Sequence, residues 1–385
     1  VELRVQAWVD PYATWLDEHD RKAAAGQSDL AGELSEGEAL FGPGTVEEWR
    51  ERADVLSRAE RREAVKSPAF GVDVERELAR FGAWYELFPR SWGGFRGVAA
   101  VLPELAALGF DVVYLPPVHP IGLTNRKGRN NTPRARKSDP GSPWAIGSAA
   151  GGHDALHPVL GTEDDFDAMV DAAGEAGIEL ALDFAIQCAP DHPWLSEHPE
   201  WFQRRPDDSI KTAENPPKRY EDIHNVNWET DDREGLWHAL RDVVLHWCAR
   251  GIRVFRVDNP HTKPLPFWEW LIATVRADFP DTVFLAEAFT RPAPMTTLAK
   301  VGFGQSYTYF TWKNTKAELV ELVEQVRSWS AFYRPNMWPN TPDILHAYLQ
   351  EGGRPAFEAR LVLAATISPS YGIYSGFEHC EAVPV

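Results

Sequence analysis

A (β/α)8 barrel preceded by a helical subdomain is the fold this sequence predicts, on three observations. Short apolar, β-branched or aromatic bursts alternate with helical patterns from Arg80 onward, their number comes to eight, and no Gly-x-Gly-x-x-Gly follows the first burst as a dinucleotide-binding sheet would require. The bursts lie at Gly82–Phe88, Asp111–Leu115, Glu179–Phe184, Arg253–Val257, Thr282–Ala286 and Ser306–Phe310, with a weak one near Tyr333–Met337 and another at Thr366–Ile367, from which the run to Gly376 resembles a strand leading into a loop. Helical periodicity fills Val98–Leu108, Thr162–Ala176, Arg233–Arg250 and Pro266–Asp278 between them.

The elements upstream are of another kind. Val1, Leu3, Val5, Ala7 and Val9 alternate as a strand with no partner nearby, so residues 1–10 are expected to be the last strand of a β domain lying further upstream. Residues 11–78 carry helical periods among many charges, as at Trp49, Ala53, Leu56 and Ala59, and predict the helical subdomain. The barrel takes residues 79–385 and is expected to be incomplete at its C-terminus. Two βα connections, about 117–158 and 187–227, are too long for simple turns, and long loops at strand ends are where a barrel builds its site.

Composition narrows the class of function. The 385 residues are 44% hydrophobic and include 16 Trp, enough for a large core. Thirty-nine basic against 57 acidic residues give a net charge of −18, which disfavours nucleic acid and anionic lipid as partners. No apolar run approaches the roughly 20 residues of a membrane span. Cys188, Cys248 and Cys380 are far apart and form no Cys-x-x-Cys, so no zinc site or disulfide framework is written here, and a reducing, cytoplasmic setting is expected. No metal or cofactor is expected.

Carboxylates end three consecutive predicted strands: Asp183, Asp258 and Glu287. Period-two alternation turns Arg256 and Asp258 into the barrel mouth together, where the guanidinium would hold Asp258 ionised, as a nucleophile requires. Glu287, in the apolar run Val283-Phe-Leu-Ala-Glu-Ala288, would have its pKa raised, as a general acid requires. Two carboxyls pushed in opposite directions point to glycoside chemistry. Spacing alone leaves open a structural alternative, in which Asp258 and Arg256 form an ion pair and Glu287 caps the next helix. His153, His192 and His261 are candidates for bonding sugar hydroxyls, and Trp84 reads as core rather than as a sugar platform.

Arg-Val-Asp (256–258), Ala-Glu-Ala (286–288) and Asn340-Thr-Pro-Asp343, preceded by Gly161-Thr-Glu-Asp-Asp-Phe166 and Leu182-Asp183, resemble in order the sequence blocks of the α-amylase superfamily. That resemblance implies Asp258 as nucleophile, Glu287 as acid/base and Asp343 as transition-state stabiliser, with Asp183 and Arg256 among the substrate-binding residues. Further motifs narrow it. Lys127 in Asn125–Asn130, Gly151-Gly-His-Asp-Ala155, Leu182–Cys188, Pro217-Lys-Arg-Tyr220, Val257–Lys263 and Ser370–Gly376 are similar to the bacterial α-1,4-glucan:maltose-1-phosphate maltosyltransferases, over almost the whole chain.

By the same resemblance Lys218, Tyr220 and Asn259 would hold a phosphate, and Lys127, Gln187 and Asn215 would contact glucosyl units. Gln187 and Cys188 stand where α-amylases normally carry a calcium-ligating Asn and a sugar-contacting His, a departure from plain starch hydrolysis. The partners implied are maltose 1-phosphate and an α-1,4-glucan, with a homodimer as the expected assembly. The alternatives kept are an α-glucoside hydrolase or trehalose-forming isomerase of the same superfamily, and a non-catalytic glucan-binding module.

Overall fold

The computed structural model describes all residues except 1, 62–63, 73, 216–217 and 385, and describes the backbones but not the side chains of 59, 60, 71, 215 and 218. It divides into two compact units, Val1–Val74 and Glu75–Val385.

In the first unit, helices α1 (Pro11–Ala24), α2 (Ala31–Phe41) and α3 (Val46–Glu60) enclose Trp15, Leu16, Phe41, Trp49 and Ala53. The Asp10 side chain starts α1 by accepting the Ala13 N–H at 3.0 Å, and Pro11 occupies the first helical position, where its missing donor costs nothing. Gly37 lets the helices close, since a Cβ there would lie 2.5 Å from the indoles of both Trp15 and Trp49. The expected single strand at residues 1–10 takes a different form. Two short strands, β1 (Glu2–Leu3) and β2 (Gln6–Ala7), pair antiparallel with β4 (Phe70–Gly71) and β3 (Val65–Lys66) respectively. Their partner lies within this chain but far along it, and local alternation carries no record of so distant a pairing.

The second unit begins four residues before the expected boundary because Leu78 and Ala79 pack into the barrel interior. Eight parallel strands close the barrel, hydrogen-bonded in the order β11 (Val254–Val257), β12 (Val283–Ala286), β13 (Gln305–Tyr307), β14 (Pro335–Met337), β15 (Ser370–Tyr374), β5 (Gly82–Glu86), β6 (Val112–Leu115) and β7 (Glu179–Phe184). Along the chain, β5 (Gly82–Glu86), α4 (Phe95–Ala107), β6 (Val112–Leu115), α5 (Glu163–Ala176) and β7 (Glu179–Phe184) come first. After the second insertion follow α7 (Arg233–Ala249), β11 (Val254–Val257), α8 (Leu265–Asp278), β12 (Val283–Ala286), α9 (Pro292–Lys300) and β13 (Gln305–Tyr307). The unit continues with α10 (Lys316–Ser328), β14 (Pro335–Met337), α11 (Ala347–Ile367) and β15 (Ser370–Tyr374). The weak burst near Tyr333–Met337 is therefore a barrel strand. The one placed at Thr366–Ile367 is not. The apolar run Leu361–Ile367 ends α11, and the last strand starts only after Pro369, a residue that cannot donate to a ladder or extend the helix. Short apolar runs do not by themselves separate strand from buried helix.

Inward-facing residues alternate along the strands and fill the interior with Trp84, Val112, Tyr114, Ala181, Val254, Val283, Leu285, Tyr307 and Trp338. Trp84 is core, as expected. The Trp338 indole lies across β15 at Gly372, where a Cβ would meet it at 2.3 Å. Gly372→Ala is thus expected to lower unfolding stability by about 1–3 kcal/mol through overpacking, read from the urea midpoint. An unchanged midpoint would mean that the indole can shift at no cost.

The second insertion contains a small sheet in place of the expected loop: β10 (Lys218–Asn225) lies between β8 (Gln187–Cys188) and β9 (Thr212–Asn215), with the short helix α6 (Trp194–Glu197) in the connection. It is bound to the first insertion. Asp191 accepts the Leu123 and Thr124 N–H groups and the Thr124 hydroxyl at 2.6–2.7 Å, and the Ala189 N–H donates to Ile146 O at 2.6 Å. The two long connections thereby form one wall beside the C-terminal ends of β6 and β7.

Candidate active site

Parallel pairing brings the sequence-predicted carboxyls together. In register, Arg256 of β11 lies between Asp183 of β7 and Leu285 of β12, and the chain then places Asp258 and Glu287 one step beyond the strand ends. The Asp258 N–H continues the ladder to Phe184 O at 3.1 Å and the Glu287 N–H bonds Val257 O at 3.0 Å, so both side chains leave a fixed backbone.

Arg256 is the hub. One terminal nitrogen bonds Asp183 Oδ2 and Asp258 Oδ1, each at 2.9 Å, and the other reaches Glu287 Oε1 at 2.7 Å. The tyrosine rings of Tyr114 and Tyr307 lie 5.7 and 5.8 Å from its guanidinium carbon and keep it desolvated. One cation thus faces three carboxyls in a dry barrel mouth, and the three respond differently. Burial raises the Asp258 carboxyl, but Arg256 and Lys263 outweigh it and hold Asp258 below the usual range. Burial dominates at Glu287, the negative charge of Asp258 adds to it, and the group is pushed up to about 8 against the pull of Arg256. The negative charge of Asp258 thus favours the protonated form of Glu287.

Asp183 is a different carboxyl. Its side chain is fully buried, and Oδ2 takes donors from Tyr114 Oη at 2.5 Å, Trp144 Nε1 at 3.2 Å and Arg256. Burial, opposed by Arg256, raises it to about 6. It orients the hub, whereas Asp258 Oδ2 accepts a long 3.5 Å bond from Asn259 Nδ2. Asn259 sits in the left-handed region at φ +43, a turn that Asn tolerates, and its N–H points back to Glu287 Oε2 at 3.3 Å. Lys263 Nζ bonds the carbonyls of Asp258 and Asn259, both at 3.1 Å, and fastens this turn.

The other expected residues surround this centre at various distances. Asp343 stands exposed in the turn Thr341–Ile344 after β14, and its charge acts on Glu86 and Tyr374 at the barrel rim. Lys127 is buried and paired with Glu221 Oε2 at 2.7 Å, while Gln187 Nε2 donates to Trp144 O at 3.3 Å. Tyr220 packs against Ala145, Ala189 and Ile223. The backbones of Asn215 and Lys218 pair with one another where β9 meets β10, and their side chains lie outside the described residues.

His153 and His192 require a correction. Both are buried in the wall, and their ring nitrogens are already engaged. The Trp194 N–H donates to His192 Nδ1, His192 Nε2–H then donates to His153 Nδ1 at 3.0 Å, and His153 Nε2–H is left for Ala185 O at 2.9 Å. Burial lowers the two imidazoles to about 2 and about 4, so both are neutral and neither is available to a sugar. Cys188 joins them in a cluster whose ligand atoms lie within 4.8 Å of one another, a grouping made by tertiary contact alone.

Three members of the site have no role in the sequence reading, Glu86, Tyr114 and Lys263, and Trp144 reads there as a candidate sugar platform, not as a donor to Asp183. Glu86 and Tyr114 had a usable signal, being polar residues on the inward phase of strands that are otherwise apolar. Trp144 and Lys263 reach the site from loops, where no periodicity points inward.

A closed barrel with an Asp, a Glu and a bridging Arg at the C-terminal ends of adjacent strands defines the class, an α-amylase-type (β/α)8 protein. Solved structures agree on the fold: an α-amylase from Lactobacillus plantarum aligns with a TM-score of 0.61 at 24% identity, covering 79% of this chain and 73% of that one, and a maltogenic α-amylase from Thermotoga neapolitana with 0.64 at 20%, covering 80% and 70%. The family profile described as α-1,4-glucan:maltose-1-phosphate maltosyltransferase, domain N/S, matches residues 1–82. Proteins named α-1,4-glucan:maltose-1-phosphate maltosyltransferase are 52% identical in Streptomyces coelicolor, over 99% of this chain and 62% of the relative, and 50% identical in Cereibacter sphaeroides, over 100% and 71%. The chain belongs to the α-1,4-glucan:maltose-1-phosphate maltosyltransferase family. It spans 62–63% of the length of the two Streptomyces coelicolor relatives. Among the described residues, no helix is long and apolar enough to cross a membrane.

Proposed function

We propose that the protein transfers maltosyl units, with retention, from α-maltose 1-phosphate to the non-reducing end of an α-1,4-glucan and releases phosphate. What carries this reading is the placement of Asp258 and Glu287 on a single guanidinium, in surroundings that push the two carboxyls in opposite directions, in a chain about half identical to maltosyltransferases. Asp258 Oδ2 attacks the anomeric carbon as Glu287 assists departure of the phosphate, which leaves a β-maltosyl ester on Asp258. Glu287, now a base, takes the proton of the acceptor's 4-hydroxyl, and the second displacement restores the α configuration. Asp343 bonds the sugar hydroxyls and Arg256 keeps the nucleophile ionised. The wall formed by the two insertions excludes water that would otherwise compete with the glucan. A non-catalytic glucan-binding module has no use for so costly a buried charge network.

Phosphate as leaving group separates this reading from hydrolase or isomerase chemistry, and we assign its binding to Lys218, Tyr220 and Asn259, with Lys127, Gln187 and Asn215 serving the glucosyl units. Lys218→Ala in the full-length protein is expected to cost about 1.5–3 kcal/mol, roughly ten- to a hundredfold in kcat/KM for maltose 1-phosphate, by loss of one charge-assisted hydrogen bond. The same change is expected to leave α-maltosyl fluoride almost unaffected, because fluoride is too small to reach that lysine. Equal losses on the two donors would make Lys218 structural. Glucose or maltose released with no phosphate-dependent transfer to glycogen would favour the hydrolase.

A further inference from the structure

Glu86 closes β5 on the inward phase of the barrel, in register with Tyr374 on one side and Tyr114 on the other. It is 2% exposed, and its carboxyl makes no hydrogen bond to the described residues. This sets it apart from Asp183, Asp258 and Glu287, each of which bonds Arg256. The groups that act on it are those of the reaction centre: Arg256 from β11, Asp183 from β7, Glu287 beyond β12 and Asp343 in the turn after β14, with Tyr114, Tyr307 and Tyr374 around it. Glu86 therefore stands on the inward phase at the C-terminal end of its strand, the end of the barrel that carries Asp258 and Glu287.

An ionised carboxylate at that place, buried, without a partner and near three other acids, would be prohibitively costly. Burial, reinforced by Asp183, Asp343 and Glu287 against the opposing Arg256, keeps Glu86 well above the ordinary carboxylic range. A neutral acid has one property its ionised neighbours lack: it donates a hydrogen bond. Asp258 and Asp343, when ionised, can only accept. A sugar hydroxyl in this cleft uses its proton on such an acceptor and still presents oxygen lone pairs that need a donor.

We propose that Glu86 is a substrate-contacting residue, a carboxylic acid donating its proton in a hydrogen bond to one hydroxyl oxygen of the glucosyl ring held over Asp258. This rests on the transfer reading above. It explains why an unpartnered acid is kept at the mouth, since its partner arrives with the donor sugar.

The test uses the full-length protein, α-maltosyl fluoride and the analogues of that donor lacking one hydroxyl at a time on the reacting ring. Glu86→Gln, which still donates, is expected to keep kcat/KM within about fivefold, and Glu86→Leu, close in size but apolar, to lose roughly ten- to a hundredfold. At one hydroxyl position the deoxy donor should be much poorer for the wild type and little poorer for Glu86→Leu, the signature of a shared contact that a merely structural residue would not produce. If Glu86→Leu does not fold, Glu86→Asp carries the same comparison, because withdrawing the acid by one methylene must weaken that one position. Equal losses in the Gln and Leu variants, or deoxy penalties undiminished at every position, would overturn the assignment. A wild-type protein that turns over α-maltosyl fluoride only to maltose would instead sink the transfer reading while leaving the Glu86 contact to stand or fall on the same comparison.

Discussion

Asp258→Asn in the full-length protein is expected to lower kcat for maltosyl transfer by roughly 10⁴-fold or more, the scale on which enzymes lose a nucleophile. The amide keeps the size of the side chain and its contact with Arg256, so the fold and the position of the hub survive. What disappears is the charged oxygen, Oδ2, which accepts a long bond from Asn259. The direct chemical test is trapping. A 2-deoxy-2-fluoro or 5-fluoro maltosyl donor should leave a glycosyl ester on Asp258, found by mass spectrometry of the digested protein. Labelling of Asp183 would contradict the geometry, because that carboxyl is fully buried and has three donors on one oxygen. Labelling of Asp343 would move the reaction to the other side of the mouth.

Glu287→Ala carries the second large effect, a loss of about 10²–10⁴-fold for donors whose leaving group needs a proton, and far less for activated ones. Azide should restore part of the rate by attacking the β-maltosyl ester without needing a base, and the second inversion makes the product an α-glycosyl azide. A β-azide would mean that the first displacement never took place. The pH profile has a definite sign. Glu287 is raised to about 8 by burial and by the charge of Asp258, so the acid form prevails below that pH. For leaving groups that need protonation, kcat/KM should fall as pH rises through about 8, and this limb should vanish in Glu287→Ala. A limb unchanged in the variant would assign the titration to another group.

The catalytic part of the site was legible because its chemistry is written along the strands. Alternation places Arg256 and Asp258 on one face, and the apolar run before Glu287 announces a raised pKa; both rest on the period of a strand and on desolvation, which act locally. The donor-binding part was read from resemblance, helped only by the local positive charge of Lys218 and Arg219 in an acidic chain, since Lys218, Tyr220 and Asn215 lie in an insertion whose small sheet, β8-β10-β9, no local pattern revealed.

Alternation of strand and helix, the number of strands, and the inward carboxyls follow from sequence by itself, because they depend on neighbours two to four residues away. Everything decided by contacts between distant segments waited for the tertiary structure. The N-terminal strands find their partners at residues 65–71, Ile367 ends a helix instead of forming a strand, and His153 and His192 spend their ring nitrogens on the core instead of on a ligand. Barrel closure also determines that Glu86 of β5 lies across the mouth from Asp258 of a strand reached 172 residues later in the chain. No window along the sequence contains both, and only closure of the sheet puts them at the same end of one low-dielectric barrel.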